Sequence, residues 1–175
     1  QKIAAKFADG FDSVVLESHG VCCGGTNLQD AFQRFETLEL SCKTEIKASL
    51  LGEPKFLTEQ QLQLESKSDV QMASFEYDPG MMSIREKELR NRLCQFVERG
   101  YRQRLLTGST GTFSARIDAN SFLITPRPLD RFSVLPEEIV MVRKGKREQG
   151  KTPSHAVLAH QALYSAHPEV EAIIN

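Results

Sequence analysis

Residues 110–126 read TGTFSARIDANSFLITP, and this stretch sets the fold class. Thr112 to Ile117 and Ser121 to Thr125 are short and strand-like, and Asp118-Ala119-Asn120 between them is a compact turn, so the pattern predicts a β-hairpin. Pro126 and Pro128 close its second strand. Working outward, Leu89, Leu93, Phe96, Val97 and Tyr101 recur at helical spacing from Ile84, with Arg, Glu and Lys on the opposite face, which predicts an amphipathic helix before the hairpin. After it, Ser133 caps a helical turn at Leu135-Pro136-Glu137-Glu138, Ile139 to Val142 forms a third strand, and Lys144-Gly145-Lys146 turns the chain. A last helix runs from about Ser154 to Ala166, and Glu171 to Asn175 begins another strand. Helices alternating with short strands predict an α/β sandwich.

The first third has the same character. Residues 2–8 look like the end of a helix stopped by Asp9-Gly10, followed by the apolar strand Val14-Val15-Leu16 and a small-residue strand from Val21 to Gly25. Asn27 is placed to cap a helix, with Asp30 near its positive end. Leu28, Ala31, Phe32, Phe35, Leu38, Cys42 and Ile46 then fall on one helical face, giving an amphipathic helix that stops near Gly52 with Pro54 beyond. Thr58 opens a short polar helix. Residues 66–83, SKSDVQMASFEYDPGMMS, lose helical period and carry the turn signal Asp78-Pro79-Gly80, so they are expected to be a linker.

With 175 residues and 40% hydrophobic side chains the chain can bury a genuine core. Its formal net charge of −1 gives no reason to expect nucleic acid or an anionic membrane as partner. No apolar run reaches the ~20 residues of a membrane helix. The charge is uneven, with six basic and ten acidic side chains over residues 1–66 against fifteen and eight over 84–152, a net −4 beside +7. That asymmetry predicts two units. Cys22, Cys23, Cys42 and Cys94 have no paired metal-ligand spacing, and without a signal-peptide pattern they read as reduced thiols of a cytoplasmic protein.

Ser18-His19-Gly20 places a lone histidine after an apolar strand. On spacing alone it reads first as a histidine satisfied by a backbone carbonyl, because zinc wants three or four protein ligands. The amides of Thr107-Gly108-Ser109-Thr110-Gly111-Thr112 could cradle a phosphate, but the stretch matches neither the Walker A nor the dinucleotide pattern, and a tight turn is the first reading. His155, His160 and His167 are not a ligand set by spacing. The basic residues from Arg99 to Arg104 and Arg143 to Arg147 lack interleaved aromatics and read as solvated faces or phosphate steering groups.

Together the pieces resemble a known family in an unexpected order. Val14 to Gly20, Gly24-Gly25 and the helix from Asn27 to Leu51 resemble the C-terminal third of a class II aldolase/adducin domain. Leu93-Cys94, Gly100-Tyr101, Thr110 to Arg116, Leu123 to Pro126, Pro153-Ser154, His160 with Tyr164, and His167-Pro168 running into Ala172-Ile173-Ile174 resemble the N-terminal half of the same family. The resemblance implies a class II aldolase-like α/β/α sandwich with a largely antiparallel central sheet. Its order implies a slice of a tandem pair, with residues 1–65 ending one domain, 66–83 linking, and 84–175 forming the N-terminal half of a second, diverged domain. A circular permutation is the alternative. The tandem order is preferred because the segment with the family's paired His-x-His ligands falls where this chain stops.

In that family, as the resemblance implies, three histidines hold a zinc that stabilises the enediolate formed when a sugar phosphate's carbon-carbon bond breaks. Loop hydroxyls and amides hold the phosphate, and a carboxylate moves the proton. The resemblance makes His19 the third zinc ligand, in the first repeat only, and Thr110, Gly111, Thr112, Thr125 and Ser154 the contacts to a sugar phosphate or similar small anion. It assigns no catalytic residue. Ala156 stands where the aldolases carry Glu, Asn175 where a strand would end in the first zinc histidine, and Arg127-Pro128 where small residues leave room for phosphate. The expected function is zinc-dependent retro-aldol cleavage of a sugar phosphate by the first repeat, with a degenerate second repeat. The alternative is a non-enzymatic adducin-like assembly module. A homo-oligomer is expected by resemblance.

Overall fold

The chain folds as two units, Gln1–Phe56 and Leu57–Asn175, and the computed structural model describes residues 2–67, 75–127 and 130–175. In the first unit α1 (Lys2–Ala8) leads into an antiparallel hairpin of β1 (Ser13–Leu16) and β2 (Gly20–Cys23). The following helix, α2 (Leu28–Leu51), starts where the sequence places it. The Asn27 side chain accepts the Asp30 N–H at 2.9 Å while the Asp30 carboxylate accepts the Thr26 N–H at 2.9 Å. The first of these bonds satisfies an amide that a helix start leaves without an intrahelical partner, and the second ties the preceding residue to the same turn. The apolar stripe of α2 is present but none of the helix's residues is buried, and Leu28, Phe32, Ile46 and Leu50 are exposed.

The second unit holds the buried core. α3 (Glu59–Lys67) is the polar helix opened by Thr58. Residues 68–74 of the expected linker lie outside the described residues, as does Pro128. Within the same stretch Glu76–Tyr77 forms β3, an element the sequence reading lacks. α4 (Ile84–Arg102) follows, capped by Ser83, whose hydroxyl accepts the Glu86 N–H at 3.1 Å. The predicted hairpin is β4 (Phe113–Asp118) and β5 (Ser121–Ile124), then come β6 (Val140–Arg143), β7 (Lys146–Glu148), α5 (Val157–Ala166) and β8 (Ala172–Ile174). The sheet order is β3-β7-β6-β5-β4-β8, and every pairing is antiparallel except β3 with β7. β6 and β7 are joined through Lys144 and Gly145, both at positive φ (50° and 74°), the two-residue turn whose twist matches that of paired strands.

Alternation along the strands sends side chains to two faces. Phe113, Ala115, Leu123 and Met141 pack with Leu93 and Val97 of α4, whereas Phe122, Ile124, Val140 and Val142 pack with Val157 and Tyr164 of α5. The result is the expected α/β/α sandwich with a mostly antiparallel sheet. A buried ion cluster fastens α4 to the β7 end of the sheet. Arg90 donates to Glu86 at 2.6 Å, to Glu148 at 2.8 Å and to the carbonyls of Pro136 and Ile139. Among the described residues no helix is long and apolar enough to cross a membrane.

Candidate functional site

The start of β4, the end of β5 and the approach to α5 converge, and four residues singled out by sequence meet there. Gly111 turns the chain at φ 86°, a conformation costly for any side chain with a Cβ. Its carbonyl accepts two bonds from Arg131, at 3.1 and 2.6 Å. Burial pulls the Arg131 guanidinium below its ordinary pKa, against the opposing charge of Asp130. The Thr112 and Ser154 hydroxyls lie 2.7 Å apart, the Thr125 hydroxyl accepts the Phe113 N–H at 3.2 Å, and Ser154 N–H donates to the Thr125 carbonyl at 2.9 Å. All three hydroxyl residues are buried. These side chains bond the protein's own groups and lace the two loops to the sheet.

Thr110, the fifth predicted contact, belongs to a self-bonded turn. The Thr107 hydroxyl accepts the N–H groups of Ser109 at 3.3 Å and Thr110 at 3.2 Å, and the Thr110 hydroxyl accepts the Thr107 N–H at 2.9 Å. Two amides that a phosphate would use are therefore already engaged. Beside this region Pro126 bridges Pro153, and the Arg127 guanidinium lies against the His155 ring at 2.8 Å from Nδ1. Ala156 occupies the cap position of α5 without a side-chain bond.

A second polar group, which the sequence did not assemble, lies across β4, α5 and β8. The Ser114 hydroxyl is 2.7 Å from His160 Nδ1 and 2.8 Å from the Tyr164 hydroxyl, and His160 Nε2 is 2.9 Å from Asn175 Oδ1. Ser114 and His160 are each 1% exposed. Burial holds the imidazole below its ordinary pKa, with the Asn175 oxygen acting in the opposite direction. Arg116 closes the end of α5 by donating to the carbonyl of Tyr164 (2.8 Å), which the helix end leaves without an intrahelical partner, and to those of His167 (3.0 Å) and Val170 (2.8 Å) beyond it. The resemblance marks Ser114 and Arg116 in one stretch and His160 with Tyr164 in another. Nothing in their spacing reveals that they bond one another, and Arg131 carried no sequence signal at all.

His19 lies in the first unit, exposed in the turn between β1 and β2, with its N–H donating to the Leu16 carbonyl at 3.1 Å. Among the described residues no three His, Cys, Asp or Glu side chains are grouped so as to hold a metal ion. A single exposed imidazole does not fit zinc's need for three or four ligands, so no chemical step is derived through a metal here.

The family model described as class II aldolase and adducin N-terminal domain matches residues 1–46 and 91–174. The chain belongs to that family. It is 44% identical over 69 residues to the 5-methylthioribulose-1-phosphate/5-deoxyribulose-1-phosphate aldolase of Escherichia coli O45:K1, covering 39% of this chain and 32% of that protein. It is 36% identical over 99 residues to the 3-oxo-tetronate 4-phosphate decarboxylase of Haemophilus influenzae, covering 54% of this chain and 44% of that one. A solved L-fuculose 1-phosphate aldolase is similar with a TM-score of 0.48 and 24% identity, over 54% of this chain and 44% of that one. The chain thus spans less than half the length of these relatives.

Proposed function

We propose that the chain is part of a class II aldolase-family protein acting on a sugar phosphate, with residues 1–65 ending one domain, 66–83 linking and 84–175 opening a second that has lost its own aldolase chemistry. The observation that carries this reading is a contrast within the second unit. The laced hydroxyls and the Arg116 cap are intact, while Ala156 at the head of α5 offers no proton-transfer group and Asn175 after β8 is a poor metal ligand. The relatives named for phosphorylated substrates support the substrate class. In this reading Thr110, Gly111, Thr112, Thr125 and Ser154 shape the phosphate end of the site, and His19 gives one imidazole to a zinc completed by groups that this chain alone does not bring together. A homo-oligomer and a cytoplasmic location belong to the same reading, and the unpaired Cys22, Cys23, Cys42 and Cys94 are consistent with a reducing compartment.

Elemental analysis of the intact polypeptide tests it. Zinc should copurify with the native protein and fall markedly in His19→Ala, which removes one of the three or four ligands that zinc needs. No zinc, or equal zinc in both, refutes the reading. The absence of a carboxylate at 156 also favours a second reading, a non-enzymatic assembly module. Cleavage of any member of a sugar-phosphate panel by the intact protein removes it.

A further inference from the structure

The buried polar chain at Ser114 has only one hydrogen-bond direction that satisfies every member. Asn175 Oδ1 lies 2.9 Å from His160 Nε2, and an amide carbonyl oxygen can only accept. The neutral, buried imidazole therefore carries its proton on Nε2 and accepts at Nδ1, 2.7 Å from Ser114 Oγ. Ser114 gives its proton there and accepts that of Tyr164, 2.8 Å away. The Asn175 carbonyl oxygen is thereby fixed toward His160, and the two N–H groups on Nδ2 are left for a partner outside the relay. The Asn175 main chain is held as well, since its carbonyl accepts the Thr112 N–H at 2.7 Å and its N–H donates to the Thr112 carbonyl at 3.0 Å. This donor stands beside Gly111, Thr112 and Ser154, where the hydroxyls already bond within the protein.

We infer that Asn175 is a preorganised amide donor for an oxygen of a small sugar phosphate, with His160 and Ser114 as its positioning residues. The inference rests on the sugar-phosphate reading above and deepens it, because it gives the second repeat a ligand contact that needs no metal. A donor fixed by buried partners loses little freedom on binding, so its bond to an anionic or carbonyl oxygen is of the stronger kind.

Two measurements on the intact chain test this. Nitrogen-15 spectra of the histidine rings report the tautomer without any ligand, and His160 should be protonated on Nε2. Titration with dihydroxyacetone phosphate, and separately with inorganic phosphate and dihydroxyacetone to tell a phosphate oxygen from a carbonyl, should give an affinity for at least one probe that falls about tenfold or more in Asn175→Ala. The variant's melting curve confirms that it is folded. A His160 proton on Nδ1, or equal affinity in native and variant chains, overturns the assignment and leaves the sugar-phosphate reading standing. Failure of the native chain to bind any of the three probes overturns both.

Discussion

Arg90 offers a sharp test of the packing argument. Its side chain is 1% exposed and meets two carboxylates that are also buried, Glu86 and Glu148, together with the carbonyls of Pro136 and Ile139. Burial alone would raise the Glu148 pKa, but its bonds from Arg90, Lys151 and the Met141 N–H outweigh that and hold it below the ordinary value. Arg90→Met removes the cation and leaves both carboxylates and the carbonyls in a site closed to water. Glu148 keeps Lys151 at 2.6 Å and the Met141 N–H at 3.0 Å, so the stranded charge is chiefly Glu86. Removing one partner of a buried pair costs about 3–5 kcal/mol. With urea slopes of about 1–3 kcal/mol per molar, the unfolding midpoint followed by circular dichroism should fall by more than about 1 M. Relative to the single variant, replacing all three charges, as Arg90→Met with Glu86→Leu and Glu148→Met, exchanges the stranded Glu86 carboxylate for an unsatisfied Met141 N–H, a cost of about 1–3 kcal/mol, while the Pro136 carbonyl loses Arg90 in both. The triple variant should therefore be more stable than the single one. A single variant within about 1 kcal/mol of the native protein, or a triple variant less stable than the single one, refutes the reasoning.

Thr125→Val deletes a fully buried hydroxyl that accepts the Phe113 N–H, and should cost about 1–3 kcal/mol in the same urea experiment. A loss under about 0.5 kcal/mol would show that the hydroxyl does not hold the fold. His160 predicts an acid-side instability. Burial depresses its pKa from the ordinary 6.5, so the unfolded chain takes up the proton first, and the stability is whole above about pH 6.5 and lost as the pH falls toward the folded value. The contribution to the slope is at most about 1.4 kcal/mol per pH unit, and His160→Gln should lack it. Identical slopes for native and variant proteins between pH 7 and 5 would contradict this.

What the sequence made legible follows from the length and regularity of each element. α2 and α4 announce themselves by repeated apolar spacing over several turns, and Asn27 caps α2 as its side chain requires. The β4–β5 hairpin is legible because its strands flank a turn in which Asp118 bonds the Asn120 N–H at 2.8 Å. β3 and β7 are two and three residues long, too short to show alternation, and Lys146 and Arg147 read as solvated or phosphate-steering charges. Glu148 is buried against Arg90, 58 positions earlier, as well as Lys151 and the Met141 N–H. The candidate site divides in the same way. Resemblance marked Thr112, Thr125 and Ser154 one by one, but their pairing depends on a sheet register that local sequence does not encode. The same holds for His160 and Asn175, which lie 15 positions apart on different elements.

The residues that carry the family resemblance in the second unit are largely those that hold it together. Thr112 bonds Ser154, Ser114 bonds His160 and Tyr164, and Arg116 closes α5. Because they satisfy one another's buried polar groups, losing any one strands a partner. Their presence therefore argues for the fold and says little about chemistry. Position 156 is the opposite case. Its side chain makes no capping bond at the head of α5, so alanine there leaves no buried group unsatisfied. Position 175 lies between these cases. Any residue there must still offer an acceptor to the Nε2–H of His160, and asparagine does so while keeping an amide donor to spare. Position 156 is thus not constrained by the packing around it, whereas position 175 is constrained by the relay behind it.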